Sequence, residues 1–347
     1  MLKQTKEKAM NILYIHQYFA TANGTIVTRA LEFSRLWMAR GHKVTVLTTT
    51  AELTSEDLRN ATGRFFKKLN IKEANVLAFN IPYSQKMGKA GRYLSWIAFL
   101  FVSMIMVLLM KHIDVIYARS TPLTIGLPAI VAKWFRKTPF VFEVTDQWPE
   151  IPIELEVIRN KILIKLLLWL EKTIYQHSDS IIVCSPGMAD GVRQITVREK
   201  LQDKLITVIP NFSETQFYRP DIDGSGVRKE RGWADRLVFI HAGTMGKVNG
   251  LDFVIDAAER LKEHGSIIFV LIGEGNQKPV LKRRVKELGL RNIQILPAVP
   301  KRQLPEVLAA TDVGLVIIGN YPILQHNSAN KFFDSLSAGK PVLLNYS

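Results

Sequence analysis

The sequence has 347 residues, of which 47% are hydrophobic, so it can bury the cores of two folded domains and is not a disordered chain. Lys and Arg number 46 against 31 Asp and Glu, and the formal net charge of +15 favours an anionic partner. Because no RNA-binding or zinc-finger signature is visible, we expect a phosphorylated substrate or an acidic membrane surface, and no nucleic acid. A single cysteine, Cys184, excludes an intrachain disulfide and favours a reducing cytoplasm.

Short apolar runs alternate with helix-length segments through the first half of the chain. The predicted strands are NILYIH, KVTVLTT, NVLAFN, DVIYA, FVFEV and SIIVC. This alternation indicates an α/β fold with a doubly wound parallel sheet. Ligands of such sheets bind beyond the carboxyl ends of the strands, so the loops that follow these runs are the first places to look for a site.

A stretch without charged residues covers residues 93–110, between Arg92 and Lys111. Its length and composition suit a transmembrane helix. However, the strand DVIYA begins only a few residues later and is expected to join the same sheet, which a bilayer crossing would prevent. We therefore favour a helix that packs partly on the sheet and dips into one leaflet, over an entirely buried helix or a true span.

A second amphipathic helix is predicted for NKILIKLLLWLEKTIYQH, residues 160–177. Lys161, Lys165 and Lys172 lie beside its apolar stripe, a pattern that favours attraction to an anionic membrane surface. An ordinary solvated face would give the same pattern. Together the two helices indicate a protein that is peripheral to a membrane.

Two segments of the first half place polar residues just after a predicted strand. Gly24 lies in the loop that follows NILYIH, and Arg29 lies at the start of the next helix. Asp146 follows FVFEV in the segment TDQWPEIP. The acidic residue and the tryptophan of that segment suit a site, but a helix cap and a ring that covers the core edge would look alike.

Residues 209–236 are polar, rich in Gly and Pro, and separate two strand-rich halves. We predict domains at residues 1–215 and 216–347. The second half repeats the alternation with the runs RLVFIHAG, SIIFVLIG, NIQILPA, DVGLVII and VLLNY. The chain is therefore expected to fold as two Rossmann-like doubly wound domains.

The first strand of the second half runs into HAGTMGKVNG. Gly243 and Gly246 permit a close backbone approach, and the ammonium of Lys247 could balance a diphosphate. The alternative is a flexible turn with one solvated lysine. The later segment LIGEGNQKP has Lys278 at the third position of the dinucleotide fingerprint, so we expect no nicotinamide cofactor.

The last helix is predicted within SANKFFDSLSAGKPV. Its apolar residues recur at helical spacing and predict a buried face of Ala329, Phe332, Phe333 and Leu336. Asn327 or Ser328 is expected to cap its start, and Gly339 is expected to end it. The loop from Gln325 to Asn330 could hold an anion such as a diphosphate, because a helix start gathers unpaired backbone amides.

The opposite face of this helix is polar and carries Asn330, Lys331 and Asp334. The carboxylate of Asp334 could accept hydrogen bonds from sugar hydroxyls, and Lys331 could assist Lys247 at a diphosphate. A plain helix of an α/β sheet with its charges in water is the alternative interpretation.

The same stretch resembles the sugar-nucleotide motif of glycosyltransferase family 4, and most closely its WbuB-like branch, which builds bacterial envelope polysaccharides. That motif has two glutamates eight positions apart, followed by small residues, Gly and Pro-Val. His326 occupies the first glutamate position and Asp334 the second. PNFSETQFYRP is similar to the family segment between the two domains, and D-x-W-P-E is shared with the branch.

The resemblance implies a GT-B fold, with two Rossmann-like domains facing a central cleft. It implies that the Gly24 loop closes over the donor diphosphate with Arg29 near it, and that Val299 offers backbone groups to the nucleobase. Asp146 stands where many relatives have a histidine and is implied to orient the acceptor hydroxyl. We take Asp146, Lys247 and His326 as candidate catalytic residues.

By the same resemblance, the chain is expected to be a metal-independent, retaining glycosyltransferase at the inner face of the cytoplasmic membrane. Its donor would be a UDP- or GDP-linked sugar used as a substrate, with no cofactor, and its acceptor a lipid-linked oligosaccharide. A nucleotide-sugar epimerase and an inactive homologue that acts as a binding protein are the alternatives. Family members continue beyond the final strand seen here, so the second domain is expected to be truncated.

Overall fold

The computed structural model describes residues 8–26, 28–84, 87–201 and 204–346. The chain divides into two compact units, Met1–Ile209 and Pro210–Ser347. The boundary lies six residues before the one predicted from the sequence. Each unit is a doubly wound α/β sheet with its own hydrophobic core.

The first unit contains an eight-stranded sheet with the order β3-β4-β2-β1-β5-β6-β7-β8. The strands are β1 (Asn11–Ile15), β2 (Lys43–Thr49), β3 (Phe66–Ile71), β4 (Ala74–Phe79), β5 (Val115–Arg119), β6 (Phe140–Val144), β7 (Ser180–Val183) and β8 (Leu205–Val208). The helices are α1 (Arg29–Ala39), α2 (Lys89–Leu109), α3 (Gly126–Arg136), α4 (Glu150–Glu154), α5 (Lys161–His177) and α6 (Pro186–Arg198). Apart from the antiparallel β3–β4 pair, the described strands of this sheet pair in parallel.

The six strands predicted for this half are all present, and two more were missed. β3 pairs with β4 through a tight hairpin whose turn residues, Lys72 and Glu73, have φ angles of 48° and 74°. Glycine and asparagine are the usual residues there, so the sequence lacked the signal for a hairpin. β8 is a short edge strand whose residues are exposed or half-buried, and its four-residue apolar run LITV was not assigned to a strand from the sequence.

The apolar stretch at residues 93–110 forms most of α2. The segment Ala90–Leu109 is long and apolar enough to cross a membrane. Within its most apolar stretch, 22% of the residues are buried inside the protein and the others are not. The buried positions Ser95, Phe99, Ser103 and Val107 recur every fourth residue and pack on the first unit. The prediction of a helix lying partly on the sheet is thus confirmed, and the opposite face of α2 remains exposed.

The second unit contains a five-stranded parallel sheet with the order β11-β10-β9-β12-β13. The strands are β9 (Leu237–Ala242), β10 (Ile267–Ile272), β11 (Ile293–Leu296), β12 (Val313–Val316) and β13 (Val342–Leu344). The helices are α7 (Ser225–Glu230), α8 (Asp252–Arg260), α9 (Lys278–Glu287), α10 (Leu304–Ala309) and α11 (Asn330–Ser337). All five predicted strands of this half are present.

Both sheets have a point at which the strand order reverses. In the first unit, β2 pairs with one edge of β1 and β5 pairs with the other edge. In the second unit, β10 and β12 flank β9 in the same way. Crevices at such switch points are the usual ligand sites of open α/β sheets. The loops after β1, β5, β9 and β12 therefore hold the candidate sites.

The predicted orientation of α11 was wrong. Its buried residues are Asp334 and Ser335, whereas Leu336 is 50% exposed. The reason lies in the neighbouring strand: a Cβ atom at Gly314 of β12 would stand only 2.4 Å from Oγ of Ser335. A glycine on the sheet thus lets the small polar side of the helix approach closely, so Leu336 is exposed and Phe332 and Phe333 are only half-buried.

Candidate functional site

The loops after β9 and β12 are in direct contact at the switch point of the second unit. Gly319 donates its backbone N–H to the carbonyl of Val248 at 2.8 Å, and a Cβ atom at Gly250 would lie 2.6 Å from the carbonyl oxygen of Ile318. Gly250 also has a φ of 52°, a left-handed conformation that favours glycine. These contacts fix the loop that carries Gly243 and Gly246 beside the segment that leads to α11.

Lys331, in the first turn of α11, lies over the end of β9. A Cβ atom at Gly243 would stand 3.1 Å from Cε of Lys331, so the glycine provides the space for the lysine chain. The ammonium donates a hydrogen bond to Oδ1 of Asn249 at 3.2 Å. Burial lowers the pKa of Lys331 to about 8, because the surroundings disfavour its charged form. A bound anion at this position would favour the charged ammonium form of Lys331 and so raise its pKa again.

His241, the penultimate residue of β9, lies behind this lysine and is fully buried. Burial lowers its pKa well below the usual value, and the ammonium of Lys331 lowers it further. The imidazole is therefore neutral at physiological pH, and the lysine supplies the positive charge at this end of the sheet.

The start of α11 faces the same position. The predicted caps, Asn327 and Ser328, do not cap it: the N-cap residue is Ala329, and no side chain of the described chain accepts a cap hydrogen bond there. Instead, Ser328 holds Asn211, whose backbone N–H donates to Oγ of Ser328 at 3.3 Å and whose amide group donates to the Ser328 carbonyl. The first turn of α11, which begins at Asn330, thus lies without a side-chain cap next to the ammonium of Lys331, and its role in binding an anion stays a prediction.

Lys247 is exposed to solvent, and its predicted role at a diphosphate stays a prediction. It begins an exposed 3-10 turn, Lys247–Asn249, whereas Lys331 is the lysine that packs against Gly243. Gly246 precedes this turn and is half-buried. The structure therefore brings Lys331, and not Lys247, against Gly243 at the end of β9.

Asp334 lies one turn further along α11 and is only 5% exposed. Burial raises its pKa, while Lys301 and Ser213 oppose that rise. Its Oδ1 has no hydrogen-bond partner among the described residues. A buried carboxylate oxygen without a donor is suited to a ligand hydroxyl, which agrees with the predicted contact to a sugar.

The remaining predicted residues of the second unit are Val299 and His326. Val299 is half-buried in the loop after β11 and packs against the core that contains Tyr218 and Trp233. His326 ends the 3-10 turn Pro322–His326 and is exposed, unlike the half-buried Lys331 and the buried Asp334.

In the first unit, Arg29 belongs to a buried ion network that the sequence did not predict. Its Nε lies 2.7 Å from Oε1 of Glu143, which is fully buried, and Arg119 lies 3.3 Å from the other carboxylate oxygen. Arg29 also donates to the carbonyl of Ile209 at 2.8 Å, the last residue of this unit. The Arg29 side chain is only 1% exposed, so its guanidinium is held by Glu143, and its position near a donor diphosphate stays a prediction.

Gly24 lies in the loop after β1, as predicted. Its N–H donates to the carbonyl of Thr21 at 3.1 Å, and the side chains of Thr21 and Asn23 both donate to Asp57. Burial acts to raise the pKa of Asp57, but these hydrogen bonds and those from Thr54 outweigh it and lower the pKa. The loop is therefore held in place by a charged anchor.

Asp146 follows β6 and accepts a hydrogen bond from Thr121 at 3.3 Å. Its side chain is accessible to solvent, yet the protein around it raises its pKa, an effect that Arg119 and Thr121 partly offset. Arg119 also contacts Nε2 of His16 at 3.3 Å. Asp146, Arg119 and His16 thus form a polar group at the carboxyl ends of β6, β5 and β1.

Sequence reasoning missed His16, Arg119 and Glu143 because each lies within or at the end of an apolar strand run. The signal that could have found them is a charged residue in a strand that is otherwise fully buried. Ser185 caps α6 by accepting the N–H of Met188 at 3.1 Å. Cys184 is buried, and burial raises its pKa to about 12.

Two family models match this chain. The model described as Glycosyl transferase 4-like domain covers residues 24–211, and the model described as Glycosyl transferases group 1 covers residues 227–321. The first match alone covers more than half of the chain.

Curated relatives come from bacteria. WcaI of Escherichia coli (strain K12), named as a colanic acid biosynthesis glycosyl transferase, is 31% identical over 115 residues, which are 32% of this chain and 28% of WcaI. WbjE of Pseudomonas aeruginosa, named as a glycosyltransferase, is 24% identical over 272 residues, which are 76% of this chain and 66% of WbjE. The chain thus aligns with less than two thirds of each of these relatives.

Among solved structures, HepE of Anabaena in complex with UDP-glucose superimposes with a TM-score of 0.69 at 18% identity, covering 96% of this chain and 80% of HepE. This likeness confirms the predicted fold of two Rossmann-like sheets. By the family match and the fold together, this chain belongs to the glycosyl transferase 4-like family and has the GT-B fold.

Proposed function

We propose that this chain is a retaining, metal-independent glycosyltransferase. It moves a sugar from a UDP- or GDP-linked donor to a lipid-linked glycan acceptor in the synthesis of cell-envelope polysaccharide. The observation that carries the proposal is the pairing of the uncapped α11 start with the ammonium of the half-buried Lys331 beside Gly243. The names of WcaI and WbjE and the UDP-glucose bound to HepE support it.

The second unit would hold the donor. The diphosphate would lie at the first-turn amides of α11 and at Lys331, and the unpartnered oxygen of Asp334 would accept a ribose hydroxyl. An ammonium and aligned amides can stabilise the charge that develops on a departing nucleoside diphosphate without a metal ion. Lys331 is the principal cation of this proposal, and Lys247 a secondary one.

The transfer would proceed with retention of configuration. The bond between the anomeric carbon and the donor phosphate oxygen breaks, a bond forms between that carbon and the acceptor oxygen, and the acceptor proton passes to the departing phosphate. Asp146, hydrogen-bonded to Thr121 in the first unit, would orient the acceptor hydroxyl.

The first unit would meet the membrane. On the exposed face of α2, Leu94, Phe101 and Ile105 are 67%, 60% and 57% exposed. At the end of α3, which packs against α2, Trp134 and Phe135 are 56% and 74% exposed. Monomeric proteins rarely expose so many large apolar side chains together, and the positive net charge of +15 complements an anionic bilayer.

Thermal shifts followed by a transfer assay test the function. Millimolar UDP or GDP is expected to raise the melting temperature, and a labelled UDP- or GDP-sugar is expected to label a lipid extract of envelope membranes. If neither nucleotide raises the melting temperature, or if the extract stays unlabelled with every donor tried, the proposal is wrong. Free, isomerised nucleotide sugar formed without acceptor would instead indicate an epimerase.

A further inference from the structure

Five aromatic side chains gather at the carboxyl end of the first sheet, and none of them has a part in the chemistry described above. The aromatic cluster consists of Tyr18 after β1, Tyr83 after β4, Tyr93 and Trp96 on the first turns of α2, and Trp148 after β6. The cluster is assembled from segments that the sequence separates by up to 130 residues.

The rings of the cluster hold one another in fixed positions. The rings of Tyr18 and Tyr83 lie 4.6 Å apart, and those of Trp96 and Tyr93 lie 5.4 Å apart. Trp96 and Trp148 meet edge to face at 5.9 Å. The indole N–H of Trp96 donates to the hydroxyl of Tyr18 at 2.5 Å, which satisfies the polar edge of the indole.

Unlike the aromatic residues of the core, these rings keep contact with water. Tyr14 and Phe142 are fully buried, whereas Tyr93 is 42% exposed and the other four members of the cluster are half-buried. Aromatic rings whose polar edges are paired and whose faces are partly open are typical of ligand sites, where a few polar groups fix the orientation of the ligand.

The cluster is connected to Asp146 in two ways. Trp148 is separated from Asp146 by a single residue of the same loop. In addition, the ring of Tyr18 meets His16 edge to face at 6.3 Å, His16 contacts Arg119, and the charge of Arg119 acts on Asp146. The aromatic faces and the carboxylate therefore belong to one rim of the sheet.

We propose that the aromatic cluster is the subsite for the acceptor sugar ring. The apolar C–H face of a pyranose would stack on the cluster, with Trp148 as the principal ring, while its hydroxyl reaches Asp146. A sugar is the occupant favoured here because Asp146 is proposed to orient the acceptor hydroxyl. The group that lies beside Asp146 is then the ring that bears this hydroxyl. The subsite rests on the proposed function, since it names what the acceptor side of that reaction recognises.

Variants of Trp148 test the subsite. Trp148→Leu removes the stacking ring and part of its contact area, so it is expected to lower kcat/KM for the acceptor by about 5–20-fold, which corresponds to about 1–2 kcal/mol. The KM for the donor is expected to stay unchanged. Trp148→Phe, which keeps a ring, should recover most of the loss, and Phe65→Leu, at an 86% exposed phenylalanine outside the two helices assigned to the membrane, serves as the control.

A competition arm distinguishes a sugar from a lipid chain as the occupant. Oligosaccharide released by mild acid from the envelope lipid extract is expected to inhibit the wild type and to inhibit Trp148→Leu much less. If polyprenyl phosphate competes instead, and its inhibition is the one that Trp148→Leu weakens, the cluster binds lipid and the proposal is wrong.

Tyr93→Ala is a second variant of the cluster that is not expected to disturb folding, because the Tyr93 ring is 42% exposed. It is expected to lower acceptor kcat/KM while the melting temperature and its rise with nucleotide stay as in the wild type. Unchanged acceptor kinetics in both Trp148→Leu and Tyr93→Ala would overturn the subsite and leave the proposed function intact. Absence of transfer by the wild type would overturn both.

Discussion

The ammonium of Lys331 lies 3.2 Å from the amide oxygen of Asn249, although 82 residues separate the two in the chain. The contact brings the first turn of α11 to the loop after β9, with Gly243 beneath the lysine chain. Asn249 can hold the ammonium without neutralising it, because an amide carries no net charge. The positive charge thus stays available to an anionic ligand.

Lys331→Ala is expected to weaken binding of UDP or GDP by about 10–100-fold, because a hydrogen bond to a charged group contributes about 1.5–3 kcal/mol. Lys247→Ala is expected to have a smaller effect, since Lys247 is exposed at the margin of the site. Isothermal titration calorimetry measures both. Lys282→Ala, on the exposed face of α9, controls for the loss of one positive charge; equal losses in all three variants would refute a specific role for Lys331.

Nucleotide affinity should decrease as the pH rises through about 8. Burial lowers the pKa of Lys331 to about 8, so the free protein carries the ammonium below that pH and loses it above. A bound diphosphate favours the charged form, and binding above pH 8 must therefore take up a proton. Binding titrations at about pH 6.5 to 9.5 are expected to show this decrease in affinity in the wild type. Lys331→Arg should show a flatter profile, because a guanidinium stays charged over the whole range.

Glu143→Gln is expected to destabilise the first unit by about 3–5 kcal/mol, because Arg29 and Arg119 would remain buried without their counter-charge. Chemical denaturation monitored by tryptophan fluorescence measures this loss. Asp190→Asn removes the exposed pair of Asp190 with Arg193 and should cost less than about 1 kcal/mol. Similar losses in the two variants would contradict the structural role given to Glu143.

Glu171→Gln is expected to stabilise the protein at neutral and mildly alkaline pH. Burial and the adjacent carboxyl group of Glu150 raise the pKa of Glu171 from 4.5 to about 9. Between these values the folded state keeps a proton that the unfolded state has lost, so stability falls as the pH rises. The amide removes this penalty, with a gain of roughly 1–3 kcal/mol at pH 7 that grows toward pH 9 and disappears near pH 4.

Melting curves from pH 4 to pH 9 test this sign, with Glu156→Gln, an exposed glutamate, as the control. A Glu171→Gln variant that is less stable than the wild type at pH 8 would show that the charged carboxylate is the form that the fold requires.

Phe101→Glu is expected to reduce sedimentation of the protein with anionic vesicles severalfold, because it places a negative charge in the middle of the exposed face of α2. Phosphatidylglycerol vesicles should bind the wild type, and pure phosphatidylcholine vesicles should bind it less. Phe217→Glu, at a 47% exposed phenylalanine of the second unit, is the control. Equal binding by the two variants would remove α2 from the membrane surface.

The sequence determined the layout of the fold, because alternating apolar runs and helical segments are local patterns. Eleven of the thirteen described strands follow from such runs, and Gly339, with a φ of 69°, ends α11 where its position after the helical pattern predicted it. The motif around Asp334 likewise identified the family without any knowledge of contacts.

The tertiary structure decided which side chains meet. Local periodicity predicted that the phenylalanines of α11 would be buried, but Gly314 on β12 admits Ser335 and turns Asp334 inward. Glu143 forms an ion pair with Arg29, 114 residues away in the chain, and Lys331 rather than Lys247 packs against Gly243. Each of these contacts depends on the space and the charge of a segment that is distant in the sequence. Local sequence patterns do not show which distant segment will pack against a given residue.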